Sequence, residues 1–119
     1  MVEEKGYLTE SLDALFEINS LENNSILCTI DTGFSGSLLI SESFAKSNNF
    51  IFVGLEEVEL IDGVSAEIEV AIGKINWFEK EIWVRAFISK TDESLIGTEL
   101  LKDTKLEIDY INSKVKISK

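Results

Sequence analysis

Asp31-Thr32-Gly33 is the segment of this 119-residue chain best suited to chemistry. The aspartate directly follows an apolar, β-branched run, Ile26-Leu27-Cys28-Thr29-Ile30, so a strand can fix the position of its carboxylate. The glycine lets the backbone turn tightly and approach a substrate. A neighbouring N–H or hydroxyl can hydrogen-bond the carboxylate, which then suits general acid–base work. The same three residue types also make ordinary turns. The bare triplet arises by chance in about a few per cent of chains of this length, so the surrounding elements have to decide between the two.

Most of those elements read as short strands. Leu12–Ile18 is half-alternating, and Ile26–Ile30 is apolar enough for a strand buried on both faces. Its outlet, Asp31 to Gly36, is a polar loop carrying two glycines, and Leu38-Leu39-Ile40 follows at once. A short helix is predicted over Glu42–Ser47 with Ser41 as its cap. Val58 and Leu60 alternate with Glu57 and Glu59, and Val64, Ala66, Ile68 and Val70 alternate with Ser65, Glu67 and Glu69. Asp62-Gly63 between them is the pair that best tolerates a two-residue hairpin turn. A second hairpin is predicted around Gly73–Glu79, leading into Lys80–Ile88, where Ile82, Val84, Ala86 and Ile88 point one way and Trp83 and Phe87 the other. Thr98–Lys102 suits one or two helical turns, and Leu106–Asp109 and Lys114–Ser118 suit strands. The sum is one mostly-β domain spanning residues 1–119, with two small helices.

Composition narrows the chemistry by what is missing. There is no histidine, hence no Ser-His or Cys-His pair and no zinc site of histidine and cysteine. The single cysteine, Cys28, cannot form an internal disulfide, and its place in an apolar strand makes it a small buried residue rather than a reactive thiol. No cofactor and no metal are expected. Lys+Arg 11 against Asp+Glu 22 give a formal charge of −11, which repels nucleic acid and anionic membrane. Met1-Val2-Glu3-Glu4-Lys5 lacks the layout of a signal peptide, and no apolar run approaches the ~20 residues of a membrane span. A soluble cytoplasmic protein is the expectation.

The segment Cys28-Thr29-Ile30-Asp31-Thr32-Gly33-Phe34-Ser35-Gly36-Ser37-Leu38-Leu39-Ile40 resembles the catalytic segment of retroviral-type aspartic proteases. There an apolar strand enters Asp-Thr-Gly and a second apolar strand leaves it. Ser94-Leu95-Ile96-Gly97-Thr98-Glu99-Leu100-Leu101 resembles the second signature of that family, two apolar residues, a glycine and a short helix ending in leucines. The hairpin tipped by Asp62-Gly63 stands where the family places its flap, and Lys105–Tyr110 looks like its late strand. The likeness runs from about Leu12 to Ile117, and is nearest to small prokaryotic members of the retropepsin-like clan. It implies a retropepsin-like closed β-barrel with one or two short helices, forming one protomer of a two-fold dimer.

The resemblance further implies an aspartic endopeptidase in which two carboxylates share a proton and activate a water. Asp109 lies in a predicted strand and precedes Tyr110 rather than a glycine turn, so it is not the partner. The second Asp31 has to come from another copy in a homodimer, with a peptide or protein as substrate. Thr32 would brace the two loops across the axis, Gly33 would admit the substrate backbone, and Ser35 would hydrogen-bond near the carboxylate. Gly97 would lie close behind the loop, and Ile61, Asp62, Gly63 and Val64 would form the flap tip. Phe34 stands where the viral enzymes have a small residue and would fill part of a substrate subsite. Trp77, Trp83 and Phe87 fit core or interface, and the terminal strand Lys114–Ser118 fits a dimer edge. Two other readings stay open. One is a catalytically silent peptide-binding or dimerisation module; the other, with few oxygen ligands in its favour, is a cation held at paired Asp31 loops.

Overall fold

Apolar residues at every second position need a common interior, and the chain supplies one by curling its strands into a closed ring. A computed structural model describes residues 2–60 and 62–119. In order along the chain come β1 (Glu3–Leu8), β2 (Ala14–Ser20), β3 (Ser25–Ile30), β4 (Leu38–Ser41) and α1 (Glu42–Ser47). Then follow β5 (Ile51–Glu59), β6 (Ser65–Trp77), β7 (Lys80–Ser89), β8 (Leu95–Ile96), α2 (Thr98–Leu101), β9 (Lys105–Asp109) and β10 (Lys114–Ser118). Hydrogen-bonded neighbours run β6-β7-β4-β8-β3-β2, and β2 returns to β6 through Asn19 opposite Asn76 and Ser20 opposite Ile75. β5 lies outside this ring on β6, and β1, β10 and β9 extend from β2.

The ring encloses Phe16, Ile18, Cys28, Leu38, Ile40, Ile75, Ala86 and Ile96, all almost wholly buried. Each such aliphatic side chain contributes about 1.5–3 kcal/mol by leaving water. Trp77 closes one end, edge-on to Phe16 at 5.7 Å and to Phe78 at 5.0 Å. Ser41 caps α1 as expected, its hydroxyl accepting from the Phe44 N–H at 3.2 Å. Val84, Ala86 and Ile88 are buried while Trp83 is 60% exposed, so β7 presents the two faces its sequence predicts.

Several local expectations give way to tertiary demands. Residue 12 is not in a strand: Leu12 sits in a loop at φ 67° and β2 begins at Ala14. β3 is buried on one face only, since no layer covers its outer side and Leu27 is exposed. The turn after β5 spans three residues rather than two, because Leu60 donates its N–H to the Val64 carbonyl at 2.8 Å. Gly63 takes φ 83°, the left-handed setting that ends such a loop. Gly73 lies mid-strand and not at a turn; a Cβ there would fall 2.5 Å from the Phe50 ring, so the glycine makes room for an aromatic packed on the strand. The hairpin expected around Gly73–Glu79 is present, with its reversal at the far end of that span, at Phe78 and Glu79, both at positive φ. β10 is not an edge, because β1 and β9 flank it within the same chain.

Cys28 is completely buried, and burial pushes its thiol up to about 12 from an ordinary value of 9.0. The folded chain should therefore resist alkylation at pH 8 and react only on denaturation. Because the folded value lies above the unfolded one, the stability it contributes is full below about pH 9 and drains away as pH rises toward 12. Prompt labelling of native protein would contradict this burial. For Gly73→Val we expect a lower urea midpoint, equivalent to about 1–3 kcal/mol. The penalty should shrink in a Phe50→Ala background, where the ring is gone.

Candidate active-site loop

The two strands that flank the Asp31 loop do not pair with each other. β8 lies between them, parallel to β3 through Thr29–Leu95 and Ile30–Ile96, and antiparallel to β4 through Leu38–Ile96 and Leu39–Leu95. The loop is therefore held at both ends by one two-residue strand that arrives late in the sequence.

Backbone hydrogen bonds continue this hold past the strands. The Asp31 N–H donates to the Ile96 carbonyl at 2.9 Å, and the Gly97 N–H donates to Ser37 at 3.0 Å. The first amides of α2 then satisfy the loop's carbonyls, Thr98 donating to Phe34 at 2.9 Å and Glu99 to Gly36 at 3.2 Å. Those N–H groups have no partner inside so short a helix, so loop and helix start complete one another. Gly97 is required by contact: a Cβ on it would meet the Gly36 carbonyl oxygen at 2.1 Å and that of Phe34 at 2.6 Å.

The Asp31 carboxylate is partly exposed, with Oδ1 accepting from the Gly33 N–H at 2.9 Å. That bond orients the group and leaves the second oxygen to solvent or to a partner, among the described hydrogen bonds. Thr32 and Gly33 are exposed beside it. Phe34 is half-buried and turned back on its own loop, with its ring 6.0 Å from Phe87 and close against Gly36 and Gly97. It supports the loop, in addition to whatever its remaining surface meets. Ser35 is exposed and lines a groove of about 510 Å³ together with Ser37, Glu56, Trp83 and Arg85. There Arg85 pairs with Glu56 and lies over the Phe87 ring.

At the hairpin tip, Gly63 donates to the Leu60 carbonyl at 2.9 Å and Val64 donates to Asp62 Oδ1 at 3.0 Å. The turn is thus closed on itself, with Val64 exposed, and among the described residues its hydrogen bonds do not reach the Asp31 loop. Ile61 lies outside the described residues. Asp109 is engaged elsewhere: it accepts from Asn112 Nδ2 and from the Ile111 and Asn112 amides, which hold its carboxyl below the usual range. Residue types alone did not single out Thr29, Leu95 or the Arg85–Glu56 pair. Thr29 and Leu95 form the cross-strand pair just below Asp31, and the two-residue spacing from Asp31 is the signal that points to Thr29. No helix among the described residues is long and apolar enough to cross a membrane.

No family model matches the chain. It is 26% identical over 114 residues to an uncharacterized protein of Archaeoglobus fulgidus, covering 87% of this chain and 85% of that one. Among solved structures, a retropepsin-like aspartic protease from Rickettsia conorii superposes with a TM-score of 0.67 at 20% identity, covering 98% of this chain and 89% of that one. The foamy viral protease–reverse transcriptase in complex with an RNA/DNA hybrid gives 0.56 at 17% identity, covering 80% of this chain but 13% of that one. The foamy viral protease–reverse transcriptase dRH in complex with double-stranded DNA gives 0.54 at 18% identity, over 79% of this chain and 16% of that one.

If the contact at residue 97 sets the loop, Gly97→Ala should loosen it before it unfolds the barrel. Native-state hydrogen exchange at the Asp31 and Thr98 amides should then speed up by about tenfold or more, while core amides such as Ile18 change little. Unchanged exchange at both loop amides would mean that the loop is held by something else.

Proposed function

Starting from the retropepsin-like fold of this chain, we propose that it is an aspartic endopeptidase that works as a homodimer, each copy contributing one Asp31. The observation that carries this reading is the Asp31 loop itself: a part-exposed carboxylate oriented by the Gly33 amide, on a backbone pinned by Ile96, Gly97 and Thr98. A preorganised carboxylate with a free oxygen is half of a water-activating dyad.

The chemistry follows from placing two such groups together. Two carboxylates about 3 Å apart cannot both ionise, so the pair keeps one proton. The ionised Asp31 takes a proton from a water lodged between them as the water oxygen bonds to the scissile carbonyl carbon. The protonated Asp31 gives its proton to the carbonyl oxygen. When the tetrahedral species collapses, the C–N bond breaks, the amine leaves with a proton from the dyad, one hydroxyl of the diol returns its proton to the dyad, and no covalent enzyme intermediate forms. Thr32 and Gly33 border this centre. Phe34, Ser35 and Gly97 shape the near wall, and Asp62, Gly63 and Val64 serve as the lid's tip. The reading includes a cytoplasmic location and no cofactor.

A diverse peptide library digested between pH 4 and 7, read by mass spectrometry, tests the reading. Wild type should cut and Asp31→Asn should not, with the mutant's melting temperature preserved. The rate should be bell-shaped in pH, falling at the low end as both carboxyls protonate and at the high end as the shared proton is lost. Cuts that persist in Asp31→Asn would exclude the dyad. A wild type that binds peptides without cutting any would favour a silent binding module.

A further inference from the structure

We propose that the rim of the sheet beside Asp31 is the surface on which a second copy of this chain docks, anchored by Leu12 and Ile111. The inference rests on reading Asp31 as half of a shared dyad. Strand register brings three loops to one end: Leu8 pairs with Ala14, Leu15 with Thr29, and Lys114 with both Tyr7 and Asp109. Residues 110–113, 9–13 and 31–37 therefore leave the sheet side by side, with the loop of Leu12 between the hairpin of Ile111 and Asp31.

This rim is unusually apolar for a surface on a chain of charge −11. Ile111 is 93% exposed, Leu12 60%, Tyr110 58% and Tyr7 56%. Exposed apolar side chains scattered singly need no explanation, but a group on neighbouring loops marks an interaction surface. Both anchors are presented on built loops. Thr9 takes the Asp13 carbonyl with its N–H at 2.9 Å, receives the Leu12 N–H at its own carbonyl at 2.9 Å, and accepts the Asp13 N–H on its hydroxyl at 3.0 Å. Asp109 fixes the other loop by accepting the Ile111 N–H at 2.9 Å and the Asn112 side chain at 2.8 Å. Leu12 is also held at φ 67°, a left-handed backbone that leucine avoids, and such strain persists where the surroundings use it.

The occupant is a second copy because the site is incomplete without one, and because the patch runs straight into the loop that needs completing. These segments and their flanks carry Glu10, Asp13, Asp31 and Asp109 against Lys114 alone, so like charges oppose the pairing and the apolar anchors have to hold it. The C-terminal strand is not open to a partner, since β1 and β9 already cover it.

Sedimentation of full-length wild type, Leu12→Asn and Ile111→Ser tests the surface. Asparagine suits a left-handed backbone better than leucine, so Leu12→Asn should melt no lower than wild type while its dimer weakens by about tenfold or more. Ile111→Ser should act likewise, and peptide cleavage should fall in step with dimer content and recover at high protein concentration. A wild-type dimer that survives both changes puts the interface elsewhere, the outer edge of β5 included, and overturns the proposal while leaving the protease reading intact. Lost cleavage with an unchanged dimer makes the rim a substrate surface and also overturns it. A wild type that is monomeric at every concentration overturns it as well. If the variants break a dimer that cuts nothing, the docking surface stands and the protease reading fails.

Discussion

Two backbone segments far apart in the chain meet so closely that the carbonyl oxygens of Phe34 and Gly36 lie where a Cβ on residue 97 would have to be. Much about the site depends on that contact. Because Gly97 carries no Cβ, β8 can enter between β3 and β4, and the amides of Thr98 and Glu99 can reach the Phe34 and Gly36 carbonyls. The loop then owes its shape to hydrogen bonds from a neighbouring element, not to its own turn propensity. A carboxylate carried on such a loop has a fixed position in space while its outer oxygen stays uncommitted.

The barrel provides the rigidity behind this arrangement. β2 and β6 join the ring's ends through short pairings, with the Ser20 hydroxyl donating to Asn48 at 2.6 Å to tie the β2–β3 turn to the end of α1. β5 lies outside the ring on β6, and over residues 57–59 and 65–69 exposed glutamates and Ser65 alternate with half-buried aliphatics. Firm loop and outer hairpin therefore come from the same sheet: one part is paired on both sides, the other mainly on one.

The two signature segments were legible in the sequence because their constraints are local: a buried strand into Asp-Thr-Gly, and Leu-Ile-Gly ahead of a helix. The alternation of β6 and β7 was equally clear, as was the Ser41 cap. What escaped reading was set by distant partners. Gly73 looks like a turn residue until Phe50 is placed on it, and Phe78-Glu79 does not advertise a turn because neither residue favours positive φ. β1 carries too little apolar pattern to be read alone, and forms because β2 and β10 offer it two edges. Phe34 suggested a substrate wall by its bulk; its packing on Phe87, Gly36 and Gly97 required knowing where β7 and β8 pass.

The pairing of β1 with β10 joins the first strand to the last, Glu3 opposite Ser118 and Tyr7 opposite Lys114. On the ribosome, β1 and β2 emerge well before β10, so one side of β1 has to wait for that strand. Contacts between residues so distant in sequence come late and carry the full cost of closing the intervening loop. Residues 9–13 sit at the end of that same strand, beside Asp31. During synthesis the unfinished edge of β1 is thus the place where two nascent copies can pair wrongly, and the arrival of β10 is the step that closes it.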